Sequence, residues 1–310
     1  MRGTLLQYFQ LEIHVMAAVP SWLARAVRGL RSFAYPEDGV RPKVGLALGG
    51  GFARGIAHLG VLRVFEENEI PIDFIAGTSV GALVAAAYAS GASLDFMERQ
   101  GALTTFHDFG RWTLSRYGMA SNLRLESYLH RLTSAEFFHQ TKIPLSIVAT
   151  DLISGKSVHF IDGEISPALR ASCAYPGLFL PVEYRGHFLA DGFLTEAAPA
   201  EAVRELGAEL VVSVFLDPGI MEERPRNTIE VISRSFSIIQ KHLVQPWRTQ
   251  TDILIEPDVN NVLWHDFAKT PELVASGRAA AEAMLPQIKA ALRGNQTERA
   301  RQSARVVAQK

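Results

Sequence analysis

The five residues Gly77-Thr78-Ser79-Val80-Gly81 constrain this chain more than any other stretch. They follow a short, mostly apolar run, Ile72 to Ala76, and open an almost wholly small or apolar segment, Ala82 to Ala89. The pattern reads as strand, sharp turn, helix. A serine on such a turn is held out where its hydroxyl can attack, and the missing Cβ at Gly77 and Gly81 lets strand and helix pack closely around a strained backbone. G-x-S-x-G also arises by chance, so its surroundings decide what it is.

Those surroundings repeat the arrangement. Lys43 to Leu48 is a short apolar strand, and Gly49-Gly50-Gly51-Phe52-Ala53-Arg54-Gly55 leads from it into a helix through Val64 and Phe65 that stops near Asn68 and Pro71. Two strand-turn-helix units in succession imply an α/β fold with a mainly parallel sheet and helices on its faces. Further strands are expected at Leu145 to Thr150, Ser157 to Ile161, Leu210 to Leu216 and Ile253 to Glu256. Leu103 to Gln140 reads as aromatic and helical, with a helix capped by Ser121, and further helices are expected at Ser166 to Ala174, Ala200 to Leu206, 228 to 245 and Glu272 to Leu292. The domain expectation is a helical extension over 1–40, one α/β domain over 41–292, and a polar, aperiodic, disordered tail over 293–310.

With 310 residues, 48% of them hydrophobic, the chain can bury a substantial core. A net charge of −1 gives no global electrostatic case for nucleic acid. The single cysteine, Cys173, can form neither an internal disulfide nor a cysteine metal site. No apolar run approaches the roughly 18 residues that span a bilayer, and Glu12 and His14 interrupt the first apolar stretch, so a cytoplasmic protein is expected. Within the extension, Trp22, Leu23, Ala26, Val27, Leu30 and Phe33 share one helical face opposite Arg25, Arg28 and Arg31. That helix either lies on the inner face of a membrane or packs across the domain.

A nucleophilic serine needs a base, and acyl transfer needs donors for an oxyanion. Gly49 to Gly55, at a strand end and before a helix start, supplies free N–H groups and a positive dipole end. It lacks the Lys-Ser/Thr of a phosphate-binding loop, and Phe52 breaks the dinucleotide pattern G-x-G-x-x-G, so an oxyanion role is favoured. Among nine histidines, the order serine, acid, late histidine would leave His242 or His265 as base, and neither sits in a small-residue turn. Asp191, followed by Gly192 and preceded by Phe188-Leu189-Ala190, places a carboxylate at a strand end with room for close approach. No histidine and carboxylate cluster has metal-ligand spacing; neither metal nor cofactor is expected.

Taken together, the Gly-rich loop ending Ala53-Arg54-Gly55, the Gly77 to Gly81 turn, the run Arg170-Ala171-Ser172-Cys173-Ala174-Tyr175-Pro176-Gly177-Leu178-Phe179-Leu180-Pro181-Val182, and Asp191-Gly192 resemble the patatin-like phospholipases, in particular the bacterial and neuropathy-target-esterase-like branch. The matches run in order from about Val44 to Leu216, and weaker similarity continues to about Leu292. The resemblance implies a three-layer patatin-like fold and a Ser/Asp dyad without histidine. Ser79 would be the nucleophile, Asp191 the base, the N–H groups around Gly50, Gly51 and Phe52 the oxyanion hole, and Arg54 an orienting or phosphate-binding residue. It implies a lipid substrate, phospholipid or lysophospholipid, with hydrolysis of acyl esters as the activity; an acyltransferase, or an impaired lipid-binding protein, would use the same scaffold. Two residues depart from the family pattern: Phe52, where a small residue is usual, and Phe193, where glycine or alanine commonly follows Asp-Gly.

Overall fold

The computed structural model describes residues 41–307 except 114, 218–223, 243–245, 261 and 264. The amphipathic stretch 20–33 therefore lies outside the described residues. The strands among the described residues fall within the compact unit Pro42–Ala291. They are β1 (Val44–Leu48), β2 (Phe74–Thr78), β3 (Arg111–Trp112), β4 (Gly118–Ser121), β5 (Leu145–Asp151), β6 (Ser157–Phe160), β7 (Gly177–Phe179), β8 (Val182–Tyr184), β9 (His187–Asp191), β10 (Leu210–Val214) and β11 (Ile253–Ile255). The helices are α1 (Ala57–Glu67), α2 (Val80–Ala89), α3 (Leu94–Leu103), α4 (Phe106–Phe109), α5 (Arg124–Leu132), α6 (Ile165–Ser172), α7 (Ala200–Glu205), α8 (Thr228–His242), α9 (Pro246–Thr249) and α10 (Thr270–Val307).

The expected α/β architecture is present. The main sheet runs in the order β11-β10-β1-β2-β5-β9-β8, with β6 paired to β5. Its β11-β10-β1-β2-β5 part is parallel, whereas β6, β9 and β8 are antiparallel to their neighbours. The short apolar runs read as buried strands because both faces are covered. Ala47, Ala76 and Val148 pack on one face against Ala200 and Val203 of α7 and Trp247 of α9. Alternate residues point the other way, where α2 packs against β1, β2 and β5 and α6 against β5, β8 and β9. In α2, Tyr88 and Val80 are the only residues not fully buried, which explains a helix sequence that is apolar on every side.

One detail of pairing places the site. On one edge of β5, Ile147 to Thr150 pair with β6. Parallel β2 pairs with Leu145 to Val148, and antiparallel β9 pairs with Ala149 to Asp151. Since β6 overlaps both, β2 and β9 must share the opposite edge end to end. Thr78 stands beside Val148 and Asp191 beside Ala149, so the last residues of two strands running in opposite directions meet.

The region 103–140 departs from the sequence expectation. It holds the strands β3 and β4, which join β7 in a separate three-stranded sheet. Ser121 ends β4 and does not cap the next helix, which starts at Arg124. Local aromatic content cannot distinguish a helix from a hairpin whose partner, β7, is supplied from more than fifty residues away. Helical backbone in α10 also continues past Gly294, where an aperiodic tail was expected. Its last turns are rich in alanine, arginine, glutamine and glutamate, which favour helix without an apolar stripe. Among the described residues, no helix is long and apolar enough to cross a membrane.

Candidate active site

Ser79 leaves β2 with φ 56° and ψ −126°, a conformation that costs a side-chain-bearing residue about 1–3 kcal/mol. The surroundings enforce it. A Cβ at Gly81 would fall on the carbonyl oxygens of Leu48 and Gly49, and one at Gly77 on the backbone of Ala82, so both glycines are required by close approach. The Ser79 N–H donates to Ser172 Oγ at 2.8 Å, and that hydroxyl donates to Val148 O at 2.6 Å. Ser172, at the end of α6, thus clamps the turn to β5.

Asp191 reaches the same point from β9 and is 1% exposed. Its N–H donates to Ala174 O at 3.0 Å, its carbonyl accepts from Thr150 Oγ1 at 3.0 Å, and Oδ1 accepts the Phe193 N–H at 2.9 Å. Gly192 lies so close to Val148 O that no Cβ fits. Oδ2 is buried without a well-formed hydrogen bond, although the Ser79 hydroxyl is near enough to favour the ionised carboxylate. Burial dominates, and it raises the Asp191 pKa from 3.8 to about 7 against the opposing pull of the Phe193 N–H and the Ser79 hydroxyl. A carboxylate titrating there is matched to proton transfer near neutral pH.

The glycine-rich loop borders both groups. Gly50, Gly51, Phe52, Ser79 and Asp191 line one cavity, together with Arg54. The expectation for the oxyanion donors needs a correction at Gly50, whose N–H donates to Ala197 O at 3.2 Å. The Gly49 N–H is likewise engaged by Val214 O at 2.9 Å, so these two amides hold the loop to β10 and to the segment before α7. The Gly51 N–H makes no hydrogen bond among the described residues. Phe52 has φ 50° and packs edge-on against Tyr175, with ring centroids 5.1 Å apart.

Arg54 is buried and its Nε donates to Val262 O at 2.9 Å, tying the loop to the segment before α10. Burial lowers its pKa, and the Asp217 charge opposes that change. His58 is fully buried beneath the loop, with Nε2 at 2.8 Å from Gly49 O. Burial takes its pKa down to about 4 despite that bond, so the neutral ring donates from Nε2 and pins the loop.

A second cavity, lined by Phe52, Ser79, Leu83, Phe106, Phe109 and Phe179, is almost wholly apolar. It is continued by a third, which shares Phe52, Val80, Leu83, Phe109 and Phe267 with it and reaches Met97 and Leu132. Phe52 borders all three cavities. The rival bases are placed differently: His242 is exposed at the end of α8, and His265 lines the apolar cavity. Cys173 also lines that cavity, where burial and then the Asp191 charge push its thiol well up, leaving it a poor nucleophile. Among the described residues, no group of three or more His, Cys, Asp or Glu is arranged to hold a metal.

Behind Asp191 stands a polar buttress that sequence reasoning missed. Glu196 is buried and pairs with His159 Nε2, while His159 Nδ1 lies 2.7 Å from Glu205 Oε2. Burial opposes the charge on His159, but the hydrogen bonds and charges of the two glutamates outweigh it and bring its pKa to about 9. Glu196 also donates its N–H to Gly192 O at 2.8 Å and accepts from Thr78 Oγ1 at 3.0 Å, linking the residues that flank both halves of the site.

A strained serine at a strand-to-helix turn, a buried aspartate meeting it along one strand edge, and an adjoining glycine loop thus share one cavity of the α/β scaffold. The chain belongs to the patatin-like phospholipase family, whose model matches residues 46–204, just over half of its length. It is 35% identical over 201 residues to an uncharacterized NTE family protein of Mycobacterium tuberculosis, covering 64% of this chain and 53% of that one. It is 30% identical over 216 residues to lysophospholipase nte1 of Aspergillus fumigatus, covering 63% of this chain and 13% of that protein. The chain thus spans about half the length of the mycobacterial relative. Among solved structures, VipD from Legionella pneumophila aligns with a TM-score of 0.46 at 14% identity, covering 82% of this chain and 67% of that one.

Proposed function

We infer that this protein hydrolyses acyl esters of lipids, phospholipid or lysophospholipid, through a Ser79/Asp191 dyad. The observation that carries the reading is the end-to-end meeting of β2 and β9 on β5, which brings the strained Ser79 and the buried Asp191 to one cavity beside the glycine loop. Family membership and the lysophospholipase among the relatives support the substrate class.

In the proposed reaction Asp191 takes the Ser79 hydroxyl proton as Oγ attacks the ester carbonyl, forming the C–O bond of a tetrahedral intermediate. The Gly51 N–H, with its neighbours at the start of the 3-10 turn Phe52–Ile56, stabilises the oxyanion. Collapse breaks the bond to the leaving alcohol, which receives the proton from Asp191. Water, deprotonated by Asp191, then attacks the acyl-Ser79 ester, and the second tetrahedral intermediate breaks the bond to Oγ, releasing the fatty acid as Asp191 returns the proton to Ser79. The apolar cavity beside Ser79 receives the acyl chain. Arg54 orients the loop through Val262.

A screen of phospholipids, lysophospholipids and short-chain esters tests this. Fatty-acid release by the wild type, abolished in Ser79→Ala together with fluorophosphonate labelling, is expected. Equal labelling of the Ala variant would sink the nucleophile assignment, and lipid binding without any turnover would make the chain a lipid-binding member. Acyl transfer to an added alcohol in preference to water would make it a transferase.

A further inference from the structure

The stretch that lines the apolar cavity also carries bare apolar surface. Phe106, Phe109, Asn122 and Leu125 line the cavity next to Ser79. Interleaved with them along the chain, Leu103, Trp112, Tyr117, Met119 and Leu123 are exposed, Leu103 by 75% and Trp112 by 59%. Single exposed apolar residues are ordinary; five large ones in so short a stretch are not. Trp112 lies on β3, the edge strand of the small sheet β3-β4-β7, and Met119 on its neighbour β4. Trp112 rests on Phe106, which in turn stacks on Phe179, and the rest of its ring is open.

The charge on this surface is one-sided. Arg111, Arg116 and Arg124 are exposed, and none is ion-paired among the described residues. Arg116 lies over the Tyr117 ring and donates to its hydroxyl at 2.8 Å, while Arg124 donates to the His107 carbonyl at 3.0 Å. Of the carboxylates in the stretch, Asp108 is paired with Arg131, and Glu126 acts on Arg170. Aromatic rings with polar ends, flanked by unpaired arginines, match the headgroup region of an anionic bilayer.

We propose that the β3-β4 hairpin and the start of α5 dock on an anionic lipid bilayer, setting the apolar cavity of Ser79 against the surface from which its substrate comes. The choice of partner rests on the lipid-hydrolase reading, and binding can be measured without it. Full-length protein carrying Ser79→Ala, which cannot consume the lipid, is sedimented with phosphatidylcholine vesicles with and without phosphatidylglycerol. Binding is expected to be tighter with phosphatidylglycerol. Each arginine near such a surface contributes about fivefold, so Arg111→Glu with Arg116→Glu should weaken binding to the anionic vesicles by about 25-fold or more. Trp112→Ala with Tyr117→Ala should weaken binding to both vesicle types.

Placed back on Ser79, the same changes should leave hydrolysis of a water-soluble short-chain ester unaltered and slow hydrolysis of vesicle lipid. Unchanged vesicle binding by both double variants, each with native circular dichroism, overturns the proposal and moves any contact elsewhere, for instance to residues 20–33. Leu123→Ser, at an exposed position, replaces any double variant that does not fold. If the parent hydrolyses neither the short-chain ester nor the vesicle lipid, the catalytic reading falls while the vesicle result still decides the docking surface.

Discussion

Asp191→Asn should make the protein more stable and inactive, with a stability gain that depends on pH in a defined way. Burial holds the Asp191 carboxyl at about 7 in the folded protein, against 3.8 ordinarily. A group whose folded pKa is raised binds its proton more tightly in the native state, so its contribution to stability is fullest below the unfolded value and is lost as pH rises toward the folded one. The difference is about 3 pH units at about 1.4 kcal/mol each, so at and above pH 7 the buried carboxylate costs at most about 4 kcal/mol. Asparagine carries no charge to desolvate, and its Oδ1 can keep the Phe193 N–H bond that Asp191 Oδ1 accepts. Urea unfolding of both proteins across about pH 4 to about pH 8 should show a difference near zero at the acid end, rising to a few kcal/mol and levelling above about pH 7. Turnover should be lost throughout. A difference that does not vary with pH, or an Asn variant less stable at pH 8, would refute the claim that Asp191 is a buried, desolvated base.

Three further outcomes follow from the same geometry. The kcat/KM of the wild type should rise with pH along an acid limb centred near pH 7, since the free enzyme needs Asp191 ionised; a flat profile between about pH 5 and about pH 8 would point to another base. His159→Gln should destabilise the protein by up to about 3 kcal/mol below pH 6.5, because the folded pKa of about 9 is raised, and the loss should shrink as pH passes through 9; equal destabilisation at pH 7 and pH 10 in urea titrations would show that the ion pair with Glu196 contributes little. Phe52→Ala should keep turnover, since the donors in the loop are backbone amides, and raise kcat/KM for long or branched acyl esters relative to short ones by enlarging the cavities that the ring borders; complete inactivity of a folded variant would give the ring a more direct role.

What could be read from the sequence divides by the range of the interaction. The Ser79 turn was legible because its cause is local: two glycines four residues apart, with an apolar run before and a small-residue helix after. Asp191 was legible only through the company of the other motifs, since an Asp-Gly pair alone marks a turn. Ser172 stood in a quoted motif, but its partners are the Ser79 amide just past β2 and a carbonyl on β5, which only the sheet register brings together. His58 carries no signal of its own in the sequence, since its value to the loop comes from one backbone carbonyl nine residues earlier. The loss of the Gly50 N–H to Ala197 O could not be foreseen, because the acceptor comes from the segment before α7, far along the chain. The β3-β4 hairpin was hidden for the same reason. Its strands are too short, two and four residues, to show an alternating pattern, and the pairing of β4 with β7 is what makes it a strand.

The central claim is that Ser79 carries the acyl group. Rapid acid quench of the protein during turnover of a lysophospholipid, followed by mass analysis of its peptides, measures this directly. The prediction is a mass increase of one fatty acid less water, confined to the peptide containing Ser79 and absent from Ser79→Ala. Turnover with no acylated peptide, or with the acyl group on another residue, would contradict it.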